Sequence, residues 1–125
     1  MPRNKVVLID DEKLMRITTS MLLKHHGFEI VTAANGVEGL STILEHLPDI
    51  VLLDIMMPEM DGWEVLRRLK EDERTKNIEV IIFTACDLPV PDDIRERYGM
   101  FTILRKPFHI EQLLDTVNKK EPGNG

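Results

Sequence analysis

Cysteine is all but missing from this chain: Cys86 is the single one among 125 residues. No internal disulfide can form from it, and no cysteine-built zinc site. Basic charge is scarce as well, with 16 Lys and Arg against 22 Asp and Glu and a formal charge of −6. Without a run of Lys and Arg, an unassisted grip on nucleic-acid phosphates is not expected. Long apolar runs are also lacking, and none approaches the roughly 18 residues of a membrane span. The opening Met1-Pro2-Arg3-Asn4-Lys5 leads into a short apolar stretch and then acids, unlike a signal peptide. What is present is one domain's length, with 42% hydrophobic residues to build a core and 30% charged residues to keep it soluble. These features predict a cytoplasmic domain over residues 1–120, with residues 121–125 as a tail or the start of a linker.

Short apolar runs alternate with longer periodic segments. Val6-Val7-Leu8-Ile9, Glu29-Ile30-Val31-Thr32-Ala33, Ile50-Val51-Leu52-Leu53, Val80-Ile81-Ile82-Phe83 and Phe101-Thr102-Ile103-Leu104 are too short for helices and rich in β-branched residues. Runs apolar on both faces suit strands covered from both sides, hence a parallel sheet. Between them lie helical patterns: Leu14, Ile17, Met21 and Leu22 before Gly27, then Val37, Leu40 and Leu44 before Pro48. Val65, Leu66 and Leu69 mark a third, and Ile94 with Tyr98 a short fourth from about Pro91. The last spans Ile110 to Lys120 on Leu113, Leu114 and Val117. Five βα units predict an α/β sandwich with right-handed crossovers.

In such sheets ligands bind at the carboxyl ends of the strands. The first strand ends in Asp10-Asp11, the third in Asp54, the fourth in Thr84-Ala85, and the fifth runs into Lys106-Pro107. Taken singly, each reads as a local feature: Asp-Asp as a helix cap, Thr as a cap, Lys-Pro as a turn. Together, three carboxylates on one rim repel and resist desolvation unless a cation sits among them. Oxygen ligands without His or Cys suit Mg²⁺ or a similar hard ion. The four histidines, His25, His26, His46 and His109, lack metal-ligand spacing. Met57 is expected at the surface, Met60 in the core, and Trp63 in partial packing on the third helix.

Val7-Leu8-Ile9-Asp10-Asp11-Glu12, Asp54-Ile55-Met56-Met57-Pro58-Glu59-Met60-Asp61-Gly62, Thr84-Ala85 and Lys106-Pro107-Phe108 together resemble the response-regulator receiver domain of two-component signalling. The spacings agree: Asp54 follows Asp11 by 43 residues, Thr84 follows Asp54 by 30, and Lys106 follows Thr84 by 22. The resemblance implies a flavodoxin-like five-stranded sheet in the order 2-1-3-4-5 with five helices on its two faces. It implies Asp54 as phosphoacceptor, with Mg²⁺ (or Mn²⁺) held by Asp10, Asp11, Asp54 and the backbone carbonyl of Met56. Thr84 and Lys106 would contact the phosphoryl oxygens, and Pro107, a cis-linked proline in the family, would aim Lys106 inward. Met56, Ala85, Cys86 and Pro107 would flank the site. The implied donor is a histidine kinase or histidine phosphotransfer protein. The implied output runs through the face of the fourth helix, fifth strand and fifth helix, in a monomer or a phosphorylation-dependent dimer, with no membrane or nucleic acid engaged directly.

Three features depart from the family pattern. Ile103 replaces the usual aromatic three residues before Lys106, at the coupling position. Met100 follows Gly99 where a small Ala is usual, and Asp87-Leu88-Pro89-Val90-Pro91 stiffens the loop after Thr84. Other functions fit less well. Aspartate-nucleophile phosphatases need a second Asp where Met56 stands, and an FMN phosphate would be repelled by Asp10-Asp11-Glu12. A non-phosphorylated docking module would not need all of Asp10, Asp11, Asp54, Thr84 and Lys106. A regulatory phosphoacceptor, not a turnover enzyme, is therefore expected. Met56 and Cys86 offer water only weak hydrogen-bond partners, so the phosphorylated form should be long-lived.

Overall fold

Each apolar run of the sequence becomes a strand and each periodic segment a helix. The computed structural model describes residues 4–57, 60–84, 90–98, 102–106 and 108–119. Along them run β1 (Lys5–Ile9), α1 (Lys13–His25), β2 (Glu29–Ala33), α2 (Gly36–His46) and β3 (Ile50–Asp54). These are followed by α3 (Gly62–Glu71), β4 (Glu79–Thr84), α4 (Asp92–Tyr98), β5 (Thr102–Arg105) and α5 (Ile110–Lys119). All pairings are parallel and the order is β2-β1-β3-β4-β5, as the resemblance implies.

The two-residue period of the strands sorts their side chains into two apolar layers. Val7, Ile9, Val51, Leu53, Val80 and Ile82 pack with Ile43 of α2, Val65, Leu66 and Leu69 of α3, and Ile94 of α4. Val6, Leu8, Ile50, Leu52, Ile81 and Phe83 pack with Leu23 of α1 and Leu113 of α5. Strands apolar on both faces are found only in the middle of the sheet, at β1, β3 and β4. β2 and β5 are edge strands, less covered, and Ile103 is 42% exposed on β5.

Caps fix the helix ends. The side-chain oxygens of Asn35 and Asp61 accept from the backbone N–H of Glu38 and Glu64, opening α2 and α3. Gly27 closes α1 at φ 91°, with the Phe28 N–H returning to the Leu23 carbonyl. Leu47 closes α2 in the left-handed region, at φ 44°.

The helix faces differ from expectation in two places. Leu14, Ile17, Met21 and Leu22 of α1 are all exposed, and the helix instead buries Thr19, Ser20 and Leu23. At helical spacing these two sets lie on largely opposite sides, and the smaller set lets the helix sit close to the sheet. In α2 the inward side is Gly36, Gly39 and Ile43, while Val37 and Leu44 are exposed. A Cβ on Gly39 would come within 2.5 Å of the Ile9 side chain, so the missing Cβ brings helix and strand together there. Met57, expected at the surface, is buried, and Met60 is half-buried. The Met57 N–H bonds back to the Ile55 carbonyl, and this tight turn places Met57 in the core and Met56 outside.

Candidate functional site

Residues distant in sequence meet where β1, β3, β4 and β5 end. Asp10 follows β1 and is wholly buried, Asp54 ends β3 at 4% exposure, and Asp11 stands exposed at the rim. Carboxylate oxygens of all three lie within 4.8 Å of one another. From the end of β5, Lys106 sends its Nζ to 3.1 Å from Asp10 Oδ2 and 3.5 Å from Asp54 Oδ2. Its backbone N–H donates to the Thr84 carbonyl at 2.7 Å, so the lysine is tied to the end of β4. Thr84 itself is buried at the last position of β4, paired in register with Arg105.

Backbone contacts hold the acids in place. Asp10 Oδ1 accepts from the Glu12 N–H at 3.0 Å in the turn before α1, whose cap residue is Glu12 and has no side-chain cap bond, so Asp10 is not the helix cap the sequence suggested. The Arg16 guanidinium donates to the Asp10 carbonyl at 2.7 Å and fixes the turn into α1. Asp54 Oδ1 accepts from the Met56 N–H at 3.1 Å, while the Met56 side chain is half exposed. Gly62 passes so near that a Cβ there would lie 2.5 Å from the Asp54 carbonyl, which only glycine permits. The expected flanking residues Ala85, Cys86 and Pro107 lie outside the described residues, as do Gly99, Met100 and most of the Asp87-to-Pro91 loop.

The electrostatics are unbalanced. The Lys106 ammonium pairs with two of the three carboxylates, and burial with the adjacent Asp10 charge pushes Asp54 up to about 7, although Lys106 pulls it down. Oxygen donors alone, two buried and one open to solvent, with surplus negative charge, fit a hard divalent cation.

Sequence reading missed two residues in this environment and gave Gly62, quoted in the motif, no role beside Asp54. Phe83 lies under the Lys106 ammonium, Arg16 holds the carbonyl of Asp10, and Gly62 gives Asp54 room. Phe83 reads as core because it closes an apolar run, and nothing in the sequence pairs Arg16 with Asp10.

A lysine shared by two acids at the carboxyl edge of a 2-1-3-4-5 sheet places the protein among the phosphoacceptor switches of two-component signalling. The chain belongs to the response regulator receiver domain family, whose pattern it matches over residues 6–118. It is 37% identical over 123 residues to sporulation initiation phosphotransferase F of Bacillus subtilis, covering 98% of this chain and 97% of that one. To protein PilH of Pseudomonas aeruginosa it is 33% identical over 114 residues, covering 91% and 94% of the two chains. Among solved structures, the chemotaxis protein CheY4 of Vibrio cholerae superimposes with a TM-score of 0.84 at 29% identity, covering 94% of this chain and 98% of that one.

Proposed function

We propose that Asp54 accepts a phosphoryl group from a phospho-histidine of a kinase or phosphotransfer protein, and that the change alters partner binding. The observation that carries this reading is the Lys106 ammonium set between buried Asp10 and Asp54. In the transfer an Asp54 carboxylate oxygen bonds to phosphorus as the phosphorus–nitrogen bond breaks, and the imidazole takes up a proton.

A carboxylate approaching an anionic phosphoryl group meets repulsion, and fixed positive charge lowers it. Lys106 supplies one such charge from a site that excludes most water, its side chain being 9% exposed. The Met56 amide holds Asp54 Oδ1 and keeps the carboxylate from rotating. Asp10, Asp11, Asp54 and the backbone carbonyl of Met56 would hold Mg²⁺ (or Mn²⁺), which when bound neutralises charge on both carboxylate and phosphoryl oxygens. Thr84 would donate its hydroxyl to a phosphoryl oxygen. Output would leave through α4, β5 and α5, where Ile103, already exposed on the edge strand, has no ring to swing inward.

The test is intact mass after incubation with acetyl phosphate and Mg²⁺, comparing wild type with Asp54→Asn. One added phosphoryl group on the wild type alone is the expected result. Equal labelling of the variant, or none of the wild type, overturns the assignment.

A further inference from the structure

Lys106 reaches the site from an edge strand and across the end of β4. It is held at two consecutive residues of that strand. Its backbone N–H bonds to the Thr84 carbonyl, and its Nζ lies 4.7 Å from the centroid of the Phe83 ring. Phe83 is paired in register with Asp54, and its carbonyl accepts from the Ile55 N–H at 3.4 Å, so ring and carboxylate start from one level of the sheet. The ring is 1% exposed and is fixed from the side by Phe108, edge to face at 6.0 Å and 83°.

An ammonium has three N–H donors. Asp10 and Asp54 lie 3.1 and 3.5 Å from Nζ, and the ring face is a third electron-rich neighbour. An aliphatic side chain could fill the volume of Phe83, but only an aromatic face attracts the charge. The attraction also strengthens as water is excluded, and this lysine is largely dry.

We propose that Phe83 is a positioning residue for Lys106, its ring face holding the ammonium in place for the phosphoryl group on Asp54. This rests on the phosphoacceptor reading of the site. When Asp54 becomes an acyl phosphate, its carboxylate charge gives way to that of the phosphoryl oxygens, and the ring remains to keep the ammonium in line for them. Phe108 acts one step further out by keeping the ring from turning.

The experiment replaces Phe83, by site-specific incorporation, with mono-, di- and trifluorinated phenylalanine, and follows phosphorylation by acetyl phosphate at saturating Mg²⁺. Fluorine withdraws charge from the ring face while nearly preserving shape, so a packing role is left intact. The expected result is a stepwise fall in rate with each fluorine, roughly two- to tenfold across the series, at nearly constant melting temperature. The same series at Phe28, in the same apolar layer but next to the first residue of β2, should leave the rate unchanged. Phe83→Leu should slow the reaction at least as much as the trifluoro analogue, while the protein still melts cooperatively. A flat rate across the Phe83 series, with the wild type labelled on Asp54, overturns the proposal. Absence of labelling in the wild type overturns the underlying reading instead.

Discussion

Asp54 carries the least favourable charge in the site, and this fixes the sign of its pH behaviour. Its ordinary value of 3.8 applies to the unfolded chain, whereas burial beside Asp10 raises it to about 7 in the folded protein. Between those two values the folded state holds a proton that the unfolded state has released. Stability of the metal-free protein should therefore fall as pH rises from about 4 to about 7, then level off. Asp54→Asn should remove much of that slope and raise the melting temperature near neutral pH by several degrees, checked by thermal melts in chelator across the range. Asp11→Asn deletes one of the three like charges, so it too should melt higher in chelator. The wild type is expected to gain stability from Mg²⁺ and Asp11→Asn to lose that gain, measured as melting temperature against Mg²⁺ concentration. At Leu47 the issue is backbone strain: its φ of 44° puts a branched side chain in the left-handed region, and the residue is exposed. Leu47→Gly should stabilise the protein by about 1 kcal/mol, read from urea denaturation.

Among the helices, α4 is joined to α3 by a bidentate pair, with Arg67 Nε and Nη2 at 2.7 and 2.9 Å from the carboxylate oxygens of Asp93. A second contact joins Arg97 and Glu71 at 3.5 Å, and Ile94 is the one buried side chain of this seven-residue helix among the described residues. So short an element depends on its anchors. Asp93→Ala should speed amide exchange over residues 92–98 while changing the stability of the whole protein little, as exposed pairs do. Hydrogen exchange followed by mass spectrometry separates the two effects. The strands were legible in the sequence because an apolar run of four or five residues has few other uses in so polar a chain. The acids and the lysine were legible because they sit where strands end, and there the topology itself collects chemistry. The buried faces of α1 and α2 were not. Leu14, Ile17 and Met21 form as good a stripe as a core face does, and the contacts that overrule it come from glycines and small residues without an apolar signal. Met57 was misplaced for a similar reason: a tight turn after β3 puts it inward and Met56 outside, while Met60 packs half-buried against the core as expected.

At the scale of the whole molecule, the exposed residues Leu14, Ile17 and Met21 of α1 lie close in sequence to Asp11 at the open rim. An apolar stripe beside the entrance is where a protein donor would gain contact area that a small donor cannot use. Met21→Asp should slow transfer from the cognate protein donor at least tenfold, equivalent to about 1.4 kcal/mol. Phosphorylation by acetyl phosphate should stay within twofold of the wild type. Equal slowing with both donors would place the effect in the site and not on the helix. The Lys106–Asp10 contact joins residues 96 positions apart, and it has a consequence for the life of the chain. Such a pair forms only after β5 has docked on β4, which it follows in the chain. A chain still emerging from the ribosome, or one clipped before β5, carries Asp54 but lacks the ammonium. On the phosphoacceptor reading, such a chain should draw little phosphate from a donor, and the ability to be charged would double as a certificate of complete folding.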